Sequence, residues 1–354
     1  MTERERFLAF ANFERVDRVP RRASFTPACR AALEQHLGQP PEQAFAMDTG
    51  GGANLRPPSD YRFPDYTVYH PGRTVGKDGF TIDGNGCGHL SHGFYHFTEY
   101  LSPLVNTDQI EEIAAYPIVD TSTWLDDQLV QACREAHAAG RHAQVFVGHM
   151  YENAWQVRGY EPFLMDLLTQ PEAAELLLDK LIANNLRTAV AAARAGYDCI
   201  AAGDDVANQQ TLMFSKELWQ RVMKPRWANV FAAARAIKPD IHIWYHSDGN
   251  IWDILDDLVE IGVTILNPVQ PECMKPQAIR QRFGKRLAFD GCVGTQTTLP
   301  FGTPEDVRRV VHELGDSLDA RRGGLMLSPT HVVEPEVTPA NITAFFEACD
   351  ELTS

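Results

Sequence analysis

The chain has 354 residues, 44% of them hydrophobic and 22% charged, and a formal net charge of −15 at pH 7. That is the make-up of a globular protein with a well-buried core, long enough for two domains or for one extended α/β barrel. So acidic a surface excludes general binding to nucleic acid or to anionic membranes, although a local basic pocket remains compatible with it.

The opening MTERERFLAFANFERVDRVP is charged and amphipathic and has no apolar centre of the signal-peptide kind, so a cytoplasmic location is expected. It predicts a helix over residues 3–14, stopped by Asp17-Arg18-Val19-Pro20. Arg21-Arg22 then stands on an expected first strand. The pair reads mainly as surface charge, with binding of a substrate carboxylate as the other possibility. Residues 47–97 are rich in Gly, Pro, His and aromatics, which predicts long loops and short strands over one end of the fold. His89, His92 and His96 fall here at helical spacing, but Gly84, Gly86, Gly88 and Gly93 speak against a helix, and loop packing is the favoured reading.

From about residue 125 the pattern becomes regular. Helices are expected over 125–139, 160–168, Pro171 to Gly196, 215–237, 250–261, 275–282, 304–315 and from Thr338-Pro339 to Glu351. Thr169 with Glu172, and Thr303-Pro304 with Asp306, read as helix starts. Strands are expected at 143–150, 197–205, 241–248, 263–268, 286–292 and 324–331. Alternation of strand and helix is the βαβ signature of parallel strands. The expected fold is one (β/α)8 TIM barrel with an N-terminal helical and loop extension, a single domain over 1–354, with an open doubly wound sheet as the alternative. No G-x-G-x-x-G follows a strand, so nothing supports a dinucleotide site. No apolar run is long enough to span a bilayer. The seven cysteines (Cys29, Cys87, Cys133, Cys199, Cys273, Cys292 and Cys349) are odd in number, widely spaced and without C-x-x-C, so reduced thiols are expected.

The strand Ile241 to Asn250, IHIWYHSDGN, is the most informative. Alternation places His242, Trp244, His246 and Asp248 on one face and Ile241, Ile243 and Tyr245 on the other. His246 and Asp248 are then neighbours at the C-terminal end of a strand, where α/β proteins place their chemistry. Glu152, Asp204-Asp205, Cys273, Asp290, Cys292 and His331 stand at or after other strand ends, and in a barrel these ends meet around one cavity. His246, Asp248, Cys273 and His331 can supply three metal ligands with one to spare, and zinc accepts all of these donor types. A hydrogen-bonded His246/Asp248 pair without metal fits equally. One of Asp204 and Asp205 is expected to act as a base or to hold a cationic group. The structural alternative for the pair is a helix cap, and for Glu152 an ion pair with Arg158. Cys133 and Cys199 are expected in the core.

LNPVQPECM (266–274), GTQTTLPFGTPEDV (294–307) and LSPTHVVEPEVTPANI (327–342) resemble the uroporphyrinogen decarboxylase superfamily, as do FLAFANFERVDRVP and YLSPLVNTDQIEEIAAYP. The resemblance covers nearly the whole chain and implies a single barrel with its site at the C-terminal face, and a plausible homodimer. It implies one of two chemistries. The first is cofactor-free decarboxylation of a tetrapyrrole-like polycarboxylate. The second is methyl transfer involving a corrinoid protein and zinc. The arginine motif R-Q-A-G-R of the decarboxylases is replaced here by PRRASFTPACR, which argues against the first. The methyltransferases carry H-x-C where this chain has His246-Ser247-Asp248, and a later Cys near the position of His331. Asp248 in place of the Cys makes the donor set harder, and Cys273 is a candidate to compensate. The variation resembles the demethylase components. The expected function is therefore transfer of a methyl group from a small O- or N-methyl donor to a cobalamin-binding partner protein. His246, Cys273 and His331 are expected at a zinc ion, with Asp204, Asp205, Glu152 and Asp248 in catalytic roles. A non-catalytic corrinoid- or tetrapyrrole-binding barrel is the reading from another class.

Overall fold

The structure, a computed structural model, describes residues 1–91 and 98–352. His92 and His96 lie outside the described residues. Nine strands are seen among those described: β1 (Phe80–Ile82), β2 (Gly88–Ser91), β3 (Thr98–Leu101), β4 (Gln144–Gly148), β5 (Cys199–Gly203), β6 (His242–His246), β7 (Ile265–Asn267), β8 (Ala288–Val293) and β9 (Leu325–Pro329). The first three form a small antiparallel sheet, and the other six form a parallel sheet whose spatial order is the chain order. Unbroken order leaves no switch point, which is what separates this α/β sheet from the doubly wound alternative. Most strands are shorter than alternation predicted: β5 stops at Gly203 before Asp204 and Asp205, and β6 at His246 before Ser247 and Asp248.

Both flanks of the six-stranded sheet carry one more backbone partner. Leu327 of β9 bridges Arg21 in parallel, and Ala143 beside β4 bridges Gly51 in parallel. The Asp48 amide donates to the Arg21 carbonyl at 2.8 Å, joining these two segments to each other. Asp48 is buried and accepts from Arg6 Nη1 at 2.7 Å, Arg18 Nη2 at 3.0 Å and the Arg21 amide at 3.1 Å.

One face of β6 carries Ile243 and Tyr245, both fully buried, and Tyr245 meets the ring of Trp227 edge-on from helix Lys224–Ile237. Burial of each such side chain contributes roughly 1.5–3 kcal/mol. At the N-terminal ends of the strands the other face holds Cys199, Ile265, Ala288 and Met326, covered by Phe7 and Phe10 of helix Glu3–Ala11. That helix ends at Asn12 instead of running to residue 14, since Phe13 takes a positive φ and the Glu14 amide turns back to the Ala9 carbonyl.

Thr303 caps helix Pro304–Ser317 in a reciprocal box with Asp306, and helix Pro339–Glu351 starts under Thr338, both as the sequence predicts. Thr169 is different. It closes helix Tyr160–Thr169 and donates its hydroxyl to the Met165 carbonyl, while Gln170 precedes helix Pro171–Ala195. The predicted helix over 215–237 is interrupted at Met223, because Pro225 offers no amide and crowds the carbonyl of the preceding turn. Among the described residues no helix is long and apolar enough to cross a membrane.

Candidate active site

The sequence around β6 folds so that His246 is its last residue and Asp248 lies just beyond, with Gly249 at φ 82° turning the chain away. The Gly249 amide donates to Gln270 Oε1 at 2.6 Å, which holds the turn and leaves the Asp248 side chain free of it. From the neighbouring strand end, Asp205 Oδ1 accepts the Asp248 amide at 2.8 Å and lies 3.5 Å from His246 Nε2. Asp205, His246 and Asp248 each offer one donor atom within 4.8 Å of the others.

The imidazole orientation follows from its other nitrogen. Asn267 Nδ2 donates to the Asp290 carbonyl at 2.7 Å, which directs Asn267 Oδ1 at His246 Nδ1, 2.8 Å away. Nδ1 therefore carries a proton, and Nε2 is the ring nitrogen turned towards the Asp205 carboxylate. Asp248 Oδ1 is buried and has no hydrogen-bond partner among the described residues. A ring nitrogen and a carboxylate beside an unpartnered carboxylate oxygen make a set of donors that a bound cation suits, and an amide that holds the other ring nitrogen is usual for a metal-bound His. Burial raises the pKa of Asp248; the charges of Asp205 and Glu152 add to this while His246 opposes it.

Asp204 and Asp205 part company. Asp204 is buried, and its Oδ1 accepts the amides of Met150 and Glu152 at 2.8 and 3.2 Å. Its Oδ2 accepts Trp227 Nε1 at 3.0 Å. It thus caps the helix Tyr151–Arg158 that follows β4, not a helix of its own segment, and burial pushes its pKa up to about 7. Asp205 is the member that reaches His246 and Asp248.

Glu152 does not pair with Arg158, which is committed to Asp166 at 2.7 Å. Its Oε1 takes the Asp205 amide at 3.0 Å and lies 2.8 Å from His149 Nδ1. Burial disfavours charge on His149, but the hydrogen bond and attraction of Glu152 outweigh it, raising the imidazole to about 9. His149, Glu152 and Asp204 form a second compact donor group. His149 escaped the sequence reading; a polar residue directly after an apolar strand was the available signal.

The profile of the uroporphyrinogen decarboxylase (URO-D) family matches residues 130–352, more than half of the chain. This chain belongs to the uroporphyrinogen decarboxylase family. A methyltransferase from Methanosarcina mazei is similar in structure over 100% of both chains, at TM-score 0.66 and 18% identity, a likeness of fold. Xylanase 10B from Thermotoga petrophila RKU-1 is similar over 66% of this chain and 82% of its own, at TM-score 0.40 and 12% identity, too slight to bear on function. A comparison with curated protein sequences finds no match.

In this URO-D family member two cavities open at the strand ends and share His331 and Val332. The larger, about 600 Å³, is lined by Asp248, Gln270, His331, Glu334, Glu336 and Phe301 among others. The smaller, about 370 Å³, is lined by Arg22, Trp244, His246, Asn267 and Ser328 among others. His331 therefore stands between the cavities, but neither it nor Cys273 joins the His246 donor group among the described residues. Cys273 Sγ lies 3.6 Å from Gln270 Oε1, and burial, with the charges of Glu272 and Asp248, raises its pKa and disfavours the thiolate. Cys292 is a buried residue within β8.

The arginine pair is not the surface feature expected from sequence. Arg21 is buried and pairs with Asp350 at 2.5 Å. Arg22 pairs with Asp290 beside Trp244, whose Nε1 donates to the same carboxylate at 2.9 Å, and Ser328 donates to its other oxygen at 3.0 Å. His242, on the same face of β6 but at its far end, lies edge-on to Phe7, and burial pulls its pKa down to about 4.

Proposed function

We propose that this chain is a metal-assisted, corrinoid-dependent methyltransferase, taking a methyl group from a small O- or N-methyl donor for a cobalamin-binding partner protein. The observation that carries the reading is the Asp205–His246–Asp248 group, in which His246 Nε2 is turned towards Asp205 and one Asp248 oxygen is unpartnered, with Asp248 lining the larger cavity and His246 the smaller. We also propose that the sheet closes as a (β/α)8 barrel in one domain, the segments at Arg21 and at Asp48–Gly51 standing for its first two strands. The Arg21–Leu327, Asp48–Arg21 and Gly51–Ala143 backbone contacts support this.

His246 Nε2, Asp205 and Asp248 would hold the metal, zinc by its tolerance of nitrogen and oxygen donors, and the metal would act as a Lewis acid on the donor's heteroatom. The partner's corrinoid would supply the nucleophile for the methyl carbon. Asn267 holds the imidazole through Nδ1 and so directs Nε2 at the carboxylates. Gln270 fixes the turn that aims Asp248, and Glu152 fixes the backbone that aims Asp205. Asp204 positions Glu152 through the helix start without reaching the mouth. Cys273 and His331 are reassigned to the surroundings of the donor group, where His331 faces the methyl donor.

The decarboxylase reading draws on Arg22 at the smaller cavity, the one arginine among its described lining. Arg22 is already paired with Asp290, and the larger cavity presents Asp248, Glu334 and Glu336 with no Lys or Arg among its described lining. An acidic mouth repels a polycarboxylate and admits a neutral or cationic methyl donor. The deciding experiment supplies cob(I)alamin and a panel of methoxy compounds and methylamines to the zinc-loaded protein, and follows loss of the cob(I)alamin spectrum. Turnover is expected in the wild type and its abolition in His246→Ala, with unchanged circular dichroism. Full activity in that variant, or carbon dioxide release from a porphyrinogen without corrinoid, would overturn the assignment.

A further inference from the structure

A third cluster of ligating side chains lies away from the barrel mouth, on the small antiparallel sheet. We propose that Asp83, Cys87 and His89 form a zinc-type metal site at the turn of the β1–β2 hairpin. Their donor atoms all lie within 4.8 Å of one another. Tetrahedral zinc with bonds of about 2.0–2.3 Å spaces its ligands at roughly 3–4 Å, so only small side-chain adjustments are required.

The hairpin places them. Ile82 of β1 pairs with Gly88 of β2, and the connection closes through the Asp83 amide to the Cys87 carbonyl at 3.0 Å. Cys87 and His89 are two residues apart in extended chain, so they share a face. Asp83 Oδ1 accepts the amides of Asn85 and Cys87 at 2.8 and 3.0 Å, which leaves Oδ2 pointing at His89 Nε2, 3.0 Å away. The Cys87 thiol is fully buried, and its contacts are backbone carbonyls, Gly88 at 3.6 Å and Leu101 at 3.8 Å.

The loop between the ligands is held rigid from outside. Tyr116 donates to the Asn85 carbonyl at 2.7 Å, and His70 Nε2 to the Gly86 carbonyl at 2.9 Å. Two consecutive carbonyls are thus pinned before any ion arrives, which lowers the ordering cost of binding. On binding, a sulfur–metal bond forms as the Cys87 S–H proton passes to solvent. Three protein donors leave a fourth position for water. The set of thiolate, imidazole and carboxylate is softer than the oxygen-rich group at His246, so the two sites differ in character. The ion would brace one wall of the mouth, since His89 meets Tyr100 edge-on, Tyr100 meets Trp155, and Trp155 shares a helix with Glu152.

The test loads the metal-stripped full-length protein with Co(II) alone and records the near-ultraviolet thiolate-to-cobalt charge-transfer absorption. The band is expected in the wild type, in Cys273→Ser and in His246→Ala, and is expected to vanish in Cys87→Ser. Zinc bound per chain is expected to fall by one equivalent in His89→Ala, a variant of a less buried residue, and separately by one in His246→Ala if the mouth also holds metal. Cobalt-loaded wild type without the band would overturn the proposal, as would a band that disappears with Cys273 and survives loss of Cys87. Failure of the mouth site shows in the His246→Ala arm alone.

Discussion

Asp204 and Asp205 are adjacent carboxylates with opposite surroundings. The backbone of an extended segment turns successive side chains to opposite sides. One is turned into the protein, where two amides and an indole satisfy it, and the other towards His246. The His149–Glu152 pair beside them makes a pH prediction. His149 is raised from its ordinary 6.5 to about 9, so its stabilisation is present below 6.5 and lost as pH rises through 9. Glu152 is depressed from its ordinary 4.5; burial pulls it up, but the hydrogen bond and charge of His149 prevail, so its contribution is lost as pH falls below 4.5. The pair therefore stabilises most between those two ordinary values. Glu152→Gln should lower the urea midpoint most near about pH 6 and progressively less up to about pH 10. A difference that grows with pH would show that the ion pair is not what Glu152 contributes.

The elements that carry the site depend on close backbone approach at one glycine. Gly203 ends β5 directly opposite His246 in β6. A Cβ there would stand 2.3 Å from the His246 carbonyl oxygen and 2.6 Å from its Cβ. Backbone on backbone cannot yield as a flexible side chain can, so β6 must shift at the residue whose imidazole the mechanism uses. Gly203→Ala should cost about 1–3 kcal/mol in stability and reduce methyl transfer at least tenfold, read from denaturation midpoints and the cob(I)alamin assay. Wild-type behaviour on both measures would remove the strand spacing from the argument. The helix Tyr151–Arg158 is tied in the same way to a different strand end, since the carboxylate at its start comes from the segment after β5.

For the molecule as a whole, the seam between the Arg21 and Asp48–Gly51 segments is where chain termini and sheet meet. Asp48 gathers Arg6 from the first helix, Arg18 from the following turn, and the Arg21 amide. Removing the carboxylate leaves buried guanidinium charge short of a partner, although Arg6 keeps Asp17 at 2.7 Å. Asp48→Ala should therefore lower the unfolding free energy by roughly 3 kcal/mol, the lower end for a broken buried pair. Backbone exchange should rise at residues 20–22 and 48–51 before the rest. Stability within error of wild type would show that the seam contributes little.

The sequence by itself determined the alternation of strands and helices, the face of β6 that carries His246, and the capped starts at Thr303 and Thr338. Each of these rests on local periodicity or on a short-range hydrogen bond, which neighbouring residues specify. It also made the family legible, through loop motifs that span most of the chain. It did not tell which strand ends touch. His246 meets Asp205 and Asn267 rather than Cys273, His149 takes Glu152 from Arg158, and Arg21 is buried and Arg22 half-buried in ion pairs rather than free at the surface. Those outcomes depend on strand register and on the angle at which each chain leaves the sheet. Both are set by packing between segments tens to hundreds of residues apart, which only the tertiary structure decides. The hairpin cluster is the same lesson at short range: the glycines around His89 argued against a helix, and the turn they make instead brings Asp83, Cys87 and His89 together.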